Sequence, residues 1–277
     1  MSDLTPAELE QALRPYRDDI LRFSRDLVAI ASENPPGKLY EACFGRIGEE
    51  LQRLGLAYEV FDAPSTTDGG ERRANVVSFV GSGQPVVYFH GHYDVVPAQH
   101  QTQFQPYVED GYLYGRGSTD MKAGLAAMMY AAFVLHELNI PLKGRIGLCF
   151  VADEETGGEG GSRYLEEIGV LGQDGIAMLT MEPTSGVVWN ANRGAITLKV
   201  TTKGKSAHVG LQHQGINAFE QMLKVATELQ ALKAEIEPRR TLIALSHRKP
   251  PTPSSCWAAS CKGEPTLMLC PKLVLSP

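Results

Sequence analysis

The sequence predicts an α/β fold: a mainly parallel sheet flanked by helices, followed by the start of a smaller α+β domain. Short apolar runs alternate with stretches of helical periodicity over the first 180 residues, the pattern of strands and crossover helices in a parallel sheet. From about residue 190 the pattern changes. "GAITLKVTTKG" (194–204) alternates as a half-exposed strand does, and a long amphipathic run, 215–237, follows it.

Element by element, apolar residues at helical spacing (Leu9, Leu13, Ile20, Leu21, Leu27, Ile30) predict a helix over 7–31, which "NPPG" at 34–37 breaks. A second helix is expected over 38–55. Strands follow at 57–62, 75–80 and 85–90, with "STTDGGERR" and "GSGQ" as the intervening turns. "MKAGLAAMMYAAFVLHEL" (121–138) is rich in strong helix formers. "GRIGLCFVAD" (144–153) reads as a buried strand, "GGSRYLEEIG" as a helix start, and "IAMLTME" (176–182) as a further strand ending in acid.

Composition narrows the function. The 277 residues carry a net charge of −6 with both signs interleaved, so no basic stripe invites nucleic acid. No apolar run is long enough to span a membrane. The polar, acidic N-terminus lacks the pattern of a signal peptide, so a cytoplasmic protein is expected. Cys43 and Cys149 read as buried free thiols. Cys256, Cys261 and Cys270 form C-x4-C-x8-C, a weak match to a metal knuckle because no paired C-x2-C accompanies it.

The chemistry gathers at strand ends. "VVYFHGHYDVVP" (86–97) closes on His90, His92 and Asp94. A later strand closes on Asp153, Glu154 and Glu155, another on Glu182, and Asp120 precedes the Ala-rich helix. Open α/β sheets bind ligands at this edge. Imidazole and carboxylate together suit Zn, Co or Mn. In extended chain His92 and Asp94 point the same way, so Asp94 can accept the second ring N–H of His92. In an extended segment Glu154 and Glu155 would point to opposite sides, one toward metal and one toward a substrate water. Taken singly, Asp120 reads as a helix cap and Glu182 as a strand exit; the ordered set carries the weight. His90 either faces away from His92 or packs in the strand end. His100 lies in a polar loop expected to border a substrate cleft.

The motifs "HGHYDVVP", "GRGSTDMKAG", "ADEETGGEGG" and "MEPT" resemble, in order, those of the M20 metallohydrolases. That family includes acetylornithine deacetylase, succinyl-diaminopimelate desuccinylase and aminoacylases. The resemblance runs from the N-terminus to about residue 241. It implies a zinc-exopeptidase-like catalytic domain holding two divalent metal ions, most simply Zn, with Co or Mn as alternatives. It implies that His92 and Glu182 bind one ion, Glu155 the other, and Asp120 bridges them, with Asp94 orienting His92. Glu154 would be the general base for the shared water, which two cations about 3.5–4 Å apart acidify. "GKSAHVGLQHQGINA" (204–218) resembles the family's lid signature, in which a histidine crosses a homodimer to stabilise the partner's oxyanion; here that is His208, although Gln212 stands where the family has proline. Without the family, His208 would be an ordinary loop histidine. Arg193, in "NANRG", could grip a substrate carboxylate, and a surface structural arginine is an equal reading.

The implied function is hydrolysis of an amide bond in N-acyl amino acids or small peptides. Two alternatives remain: an inactive product that only binds metal or dimerises, and a simple α/β binding protein whose carboxylates are caps. The expected domains are 1–190 (catalytic), 191–241 (an incomplete lid) and 242–277, a tail without family likeness. The family's distal histidine ligand for the second ion has no counterpart; His247 sits in no family motif. Back-translated and read one base earlier, "CWAASCKGEPTLMLCPKLVLSP" can encode "LGGELQGGTNFNVVPEACSFT". That string carries the Gly-Gly and Asn-x-x-Pro of the family's lid strand, so the tail is expected to result from a one-base shift near codon 241. Sequencing the coding DNA from codon 230 past the stop is expected to show that one added or removed base restores a longer frame containing a distal histidine. A sound frame with no such correction would contradict the shift.

Overall fold

In this computed structural model, residues 5–64, 71–184, 188 and 198–238 are described, with the backbone alone at 258–262 and 266–270. The chain divides into two compact units, Met1–Gly186 and Val187–Pro277.

The first unit opens with α1 (Pro6–Leu13) and α2 (Arg17–Ala29), where one helix over 7–31 was expected. Pro15 supplies the reason. It lacks an N–H for the helical ladder, and a 3-10 turn at Arg14–Tyr16 takes up the interruption. Helix α3 spans Tyr40–Arg53 and leads into β1 (Tyr58–Asp62) and β2 (Ala74–Gly81). Strand β3 (Val86–His92) is followed by a short hairpin, β4 (Tyr107–Glu109) and β5 (Tyr112–Tyr114). Its turn is Asp110-Gly111, both at positive φ (51° and 82°), the pair that such tight turns favour. Then come α4 (Ala123–Glu137), β6 (Arg145–Val151), the short α5 (Tyr164–Glu167) and β7 (Gly175–Thr180).

The five strands form one sheet in the order β1-β2-β6-β3-β7. The half β6-β3-β7 is parallel, and β2 and β1 extend it antiparallel. The α/β expectation is therefore met, with a mixed sheet. One face packs on the helices: Phe23, Leu27, Ile47, Leu51, Leu125 and Phe150 are all fully buried there. Each such side chain contributes about 1.5–3 kcal/mol. The other face buries Val77, Val86, Tyr88, Cys149, Val151 and Leu165. Cys43 and Cys149 are buried free thiols, as expected. Gly91 allows close approach of strand to helix, because a Cβ there would lie 2.5 Å from Leu125 Cδ2.

Two buried charges tie the helices together. The Lys122 ammonium, fully buried, donates to Leu27 O (2.8 Å) and Ile30 O (2.6 Å). It thereby satisfies carbonyls at the C-terminus of α2, where a cation is favoured. Glu50, on α3, lies 2.9, 2.7 and 2.7 Å from Arg22, Arg46 and Arg53 and accepts the Tyr130 hydroxyl at 2.7 Å.

In the second unit β8 is Leu198–Thr201 and α6 is Ala218–Ile236. Asn217 caps α6, accepting from the backbone N–H groups of Phe219 and Glu220. The tail, expected to lack family likeness, supplies two strands, β9 (Ala258–Lys262) and β10 (Thr266–Cys270). Strand β10 lies between β8 and β9, antiparallel to both. No residue of α6 is buried, and Phe219 and Leu223 are exposed on it. Among the described residues, no helix is long and apolar enough to cross a membrane.

Glu50 generates a prediction. Burial opposes its charge, but hydrogen bonds from Arg53, Tyr130, Arg46 and Arg22 outweigh burial and pull its pKa from 4.5 down to about 2. A carboxylate with a depressed folded-state pKa stabilises the fold above its unfolded value, and that contribution is lost as pH falls through the folded one. Glu50→Gln is expected to cost about 2 kcal/mol at pH 7, below the range for a wholly buried pair because two of the arginines are partly exposed. It should also flatten the fall in stability between pH 4.5 and 2, measured by urea unfolding at several pH values. An unchanged acid limb would show that the cluster does not carry the acid sensitivity.

Candidate metal centre

The parallel strands β6, β3 and β7 bring their C-terminal ends to one edge of the sheet. The register sets His92 opposite Val151, two residues before Asp153. Beyond β7, Glu182 follows at the same edge, and Met181 N donates to His90 O. Asp120 enters from the turn at Ser118–Lys122 that precedes α4.

The His92 ring is buried, and its Nδ1 is 2.9 Å from the backbone oxygen of Asp94. The Asp94 carboxylate, expected as the orienting partner, lies farther from Nδ1, at 3.4 Å. Nδ1–H donation to that carbonyl leaves Nε2 facing the open edge. Three carboxylates converge on Nε2: Asp120 at 3.1 Å, Glu182 at 3.5 Å and Glu154 at 3.7 Å. Burial disfavours a charged ring, yet hydrogen bonds to Asp120, Asp94 and Glu182 outweigh it and hold the His92 pKa up to about 12. The proton on Nε2 thus sits among acceptors arranged as they would be around a cation. Asp120 is correspondingly held below the usual carboxylate range by its hydrogen bond to His92.

One potential ligand atom each from His92, Asp120 and Glu182 lies within 4.8 Å of the others. One imidazole nitrogen and two carboxylate oxygens are a donor set that fits Zn, Co or Mn. The backbone carbonyl on Nδ1 fixes the ring as the outer partner of a ligating histidine does.

The acidic motif is built differently from the extended segment expected. Asp153 adopts a left-handed conformation (φ 62°) and Glu154–Thr156 form a 3-10 turn. The two glutamates still separate. Glu154 faces His92, whereas Glu155 Oε1 accepts the backbone N–H of Val96 at 3.2 Å. Burial raises the pKa of Glu154, reinforced by Glu182, Asp94 and Asp120 and opposed by His92. Burial also raises Glu155.

The Asp94 carboxylate is fully buried beneath that turn. It accepts the backbone N–H of Glu154 and of Glu155, both at 3.2 Å, and the Asn34 amide at 2.8 Å. Asp153 is paired with Arg73 at 2.6 Å and accepts the Tyr40 hydroxyl at 3.0 Å. Asn34, Tyr40 and Arg73 were missed in the sequence, where Asn34 read only as part of a helix break. His90 packs in the strand end, its Nε2 2.7 Å from Ser162 Oγ. Burial and the neighbouring His92 push its pKa down to about 4. His100 is an exposed loop residue.

His208 lies in the second unit, exposed, with Nδ1 accepting the Gly210 backbone N–H at 3.2 Å. Arg193 and His247 lie outside the described residues.

Comparison with known proteins gives a consistent family. The profile of peptidase family M20/M25/M40 matches residues 88–252, more than half the chain and past the expected boundary at 241. The chain is 35% identical over 217 residues to a probable succinyl-diaminopimelate desuccinylase of Staphylococcus epidermidis, covering 76% of this chain and 51% of that protein. It is 37% identical over 176 residues to a Staphylococcus aureus protein of the same description, covering 62% and 43%. The chain therefore spans about half the length of the curated relatives it matches. Among solved structures, human carnosine dipeptidase 1 superposes with a TM-score of 0.57 at 22% identity, over 74% of this chain and 47% of that one. The aminopeptidase PepT of Bacillus cereus gives 0.53 at 20%, over 93% and 67%. At these identities the structures speak to the fold alone, and it is the fold described above. With the profile covering most of the sheet edge that carries His92, Asp120, Glu154 and Glu182, the chain belongs to peptidase family M20/M25/M40.

Proposed function

We propose that this chain carries the metal centre of an amide-bond hydrolase acting on N-acyl amino acids or small peptides. One observation carries the reading: Asp120, Glu182 and Glu154 converge on Nε2 of a buried His92 whose other nitrogen is already committed.

In this reading His92 and Glu182 would hold one divalent ion and Glu155 a second, with Asp120 serving both. Glu155 would exchange its bond to Val96 N for the metal. Zn fits the donors, and Co or Mn would fit as well. When bound, such ions acidify a water and polarise the substrate carbonyl. Glu154 would be the general base, taking a proton from water and returning it to the departing amine. Its raised pKa suits both halves of this task, since a base poised nearer the working pH can also return its proton. Asp94 holds the Glu154–Glu155 turn and, with its backbone carbonyl, the His92 ring. His208 would stabilise the oxyanion of a partner copy in a homodimer, and Arg193 would grip the substrate carboxylate.

The description shared by the staphylococcal relatives makes an N-succinyl amino acid the first substrate to try. The domain division 1–190, 191–241 and 242–277, the frame shift within the tail and a cytoplasmic location belong to the same reading. The second reading is that the chain binds metal at this sheet edge without turning over substrate.

Release of free amine from N-succinyl- and N-acetyl-amino acids, with Zn, Co or Mn and after chelation, separates the two. Metal-dependent turnover supports the hydrolase. Metal binding without turnover supports the second reading, and no metal binding overturns both. Where turnover is found, Glu154→Gln is expected to lower kcat by about 10²–10⁴-fold with metal content kept. Asp120→Ala should lose the metal itself, read by metal analysis of the dialysed protein; retention of full metal content by that variant would refute the ligand assignment.

A further inference from the structure

The amide of Asn34 lies at the meeting point of the two acidic motifs. It belongs to "NPPG", far from both in sequence, and is 1% exposed. Its Nδ2 lies 2.8 Å from Asp94 Oδ2, 2.9 Å from Thr156 Oγ1 and 3.4 Å from Asp153 Oδ1. Backbone bonds hold the same segment in place. Asn34 N donates to Val95 O at 2.8 Å, and Val95 N donates to Ser32 O at 2.9 Å.

These contacts place one neutral donor between two buried aspartates. Asp94 and Asp153 are both nearly inaccessible to solvent. Arg73 and Tyr40 reach Asp153 from one side. Among the described residues, the donors toward Asp94 are the Glu154 and Glu155 backbone, the Asn34 amide and, at 3.4 Å, His92 Nδ1 from its own segment. An amide offers two N–H groups and no charge, so it can satisfy Asp94 and Thr156 together without adding an ion to the site. Aspartate has nearly the same shape but would turn that donor into an acceptor facing two carboxylates. A buried carboxylate deprived of a donor is costly, and the cheapest relief is movement of the turn that carries Glu154 and Glu155.

We infer that Asn34 is a positioning residue that locks Asp94 to the Asp153–Thr156 turn, and so sets Glu154 and Glu155 relative to His92. The lock is a property of the metal-free chain. Its consequence for the metal centre rests on the function proposed above.

The test reads the two separately. In the metal-free 277-residue chain, Asn34→Ala is expected to speed amide hydrogen exchange at Glu154 and Glu155 by about five- to tenfold, the loss of one buried hydrogen bond. Exchange along β6 should be unchanged. Equal rates at Glu154 and Glu155 would overturn the inference, as would a uniform acceleration that includes β6, since that marks general destabilisation. Cobalt titration supplies the second readout. The variant is expected to bind about 10–100-fold more weakly with an altered visible spectrum, as for a residue supporting a metal ligand from behind. Affinity and spectrum both unchanged would remove the link to the metal centre. If the unsubstituted chain binds no cobalt, the proposed function fails, and the exchange rates still decide the role of Asn34. If Asn34→Ala does not fold, the side-chain amide of Asn34 in the unsubstituted chain decides by NMR. Slowed exchange of both its protons supports the lock, and exchange at the rate of a free amide overturns it.

Discussion

The parallel pairing of β3 with β6 is the constraint on which the rest of the site depends. It places His92 opposite Val151, so the chain leaving β6 must pass directly over the residues leaving β3. Asp94 and the Glu154–Glu155 turn meet for that reason alone. Pairing of β3 with β7 on its other side does the same for Glu182. A one-residue slip in either register would turn the alternate side chains to the opposite face and scatter the cluster.

Burial then makes the arrangement rigid. Asp94 is inaccessible to water, so each of its lone pairs must find a donor within the protein. It finds them in the backbone of the acidic turn and in Asn34. A polar network this deep is stable only when fully satisfied, which restricts the turn to a single conformation. The exposed side of the cluster is the reverse. Asp120 and Glu154 have half-exposed side chains, and they meet His92 where a ligand can arrive. The fixed groups lie beneath the exposed ones, as a preorganised centre requires.

The sequence made much of this legible, for identifiable reasons. Strands and helices declared themselves through apolar period, and His92, Asp120, Glu154 and Glu182 through their places at strand and helix ends. Four features escaped. Pro15 splits the first helix, although a proline inside a helical pattern is a known stop. Asp110-Gly111 closes a hairpin whose strands are only three residues long, too short for period-2 alternation to register. Asn34, Tyr40 and Arg73 could not be read at all, because their importance lies in which carboxylates the fold delivers to them. The conformation of Glu154 and Glu155 was likewise hidden: the left-handed Asp153 before them turns an apparent strand exit into a helical turn.

In the proposed function one imidazole and carboxylates at the sheet edge would hold the metal. The three cysteines near the C-terminus are the competing ligand set in this chain. X-ray absorption at the zinc edge of the zinc-loaded chain distinguishes them directly. A first shell of oxygen and nitrogen at about 2.0–2.2 Å, with the outer scattering of a single imidazole, is the predicted result. A shell containing sulfur at about 2.3 Å would contradict it and would move the metal to the cysteines.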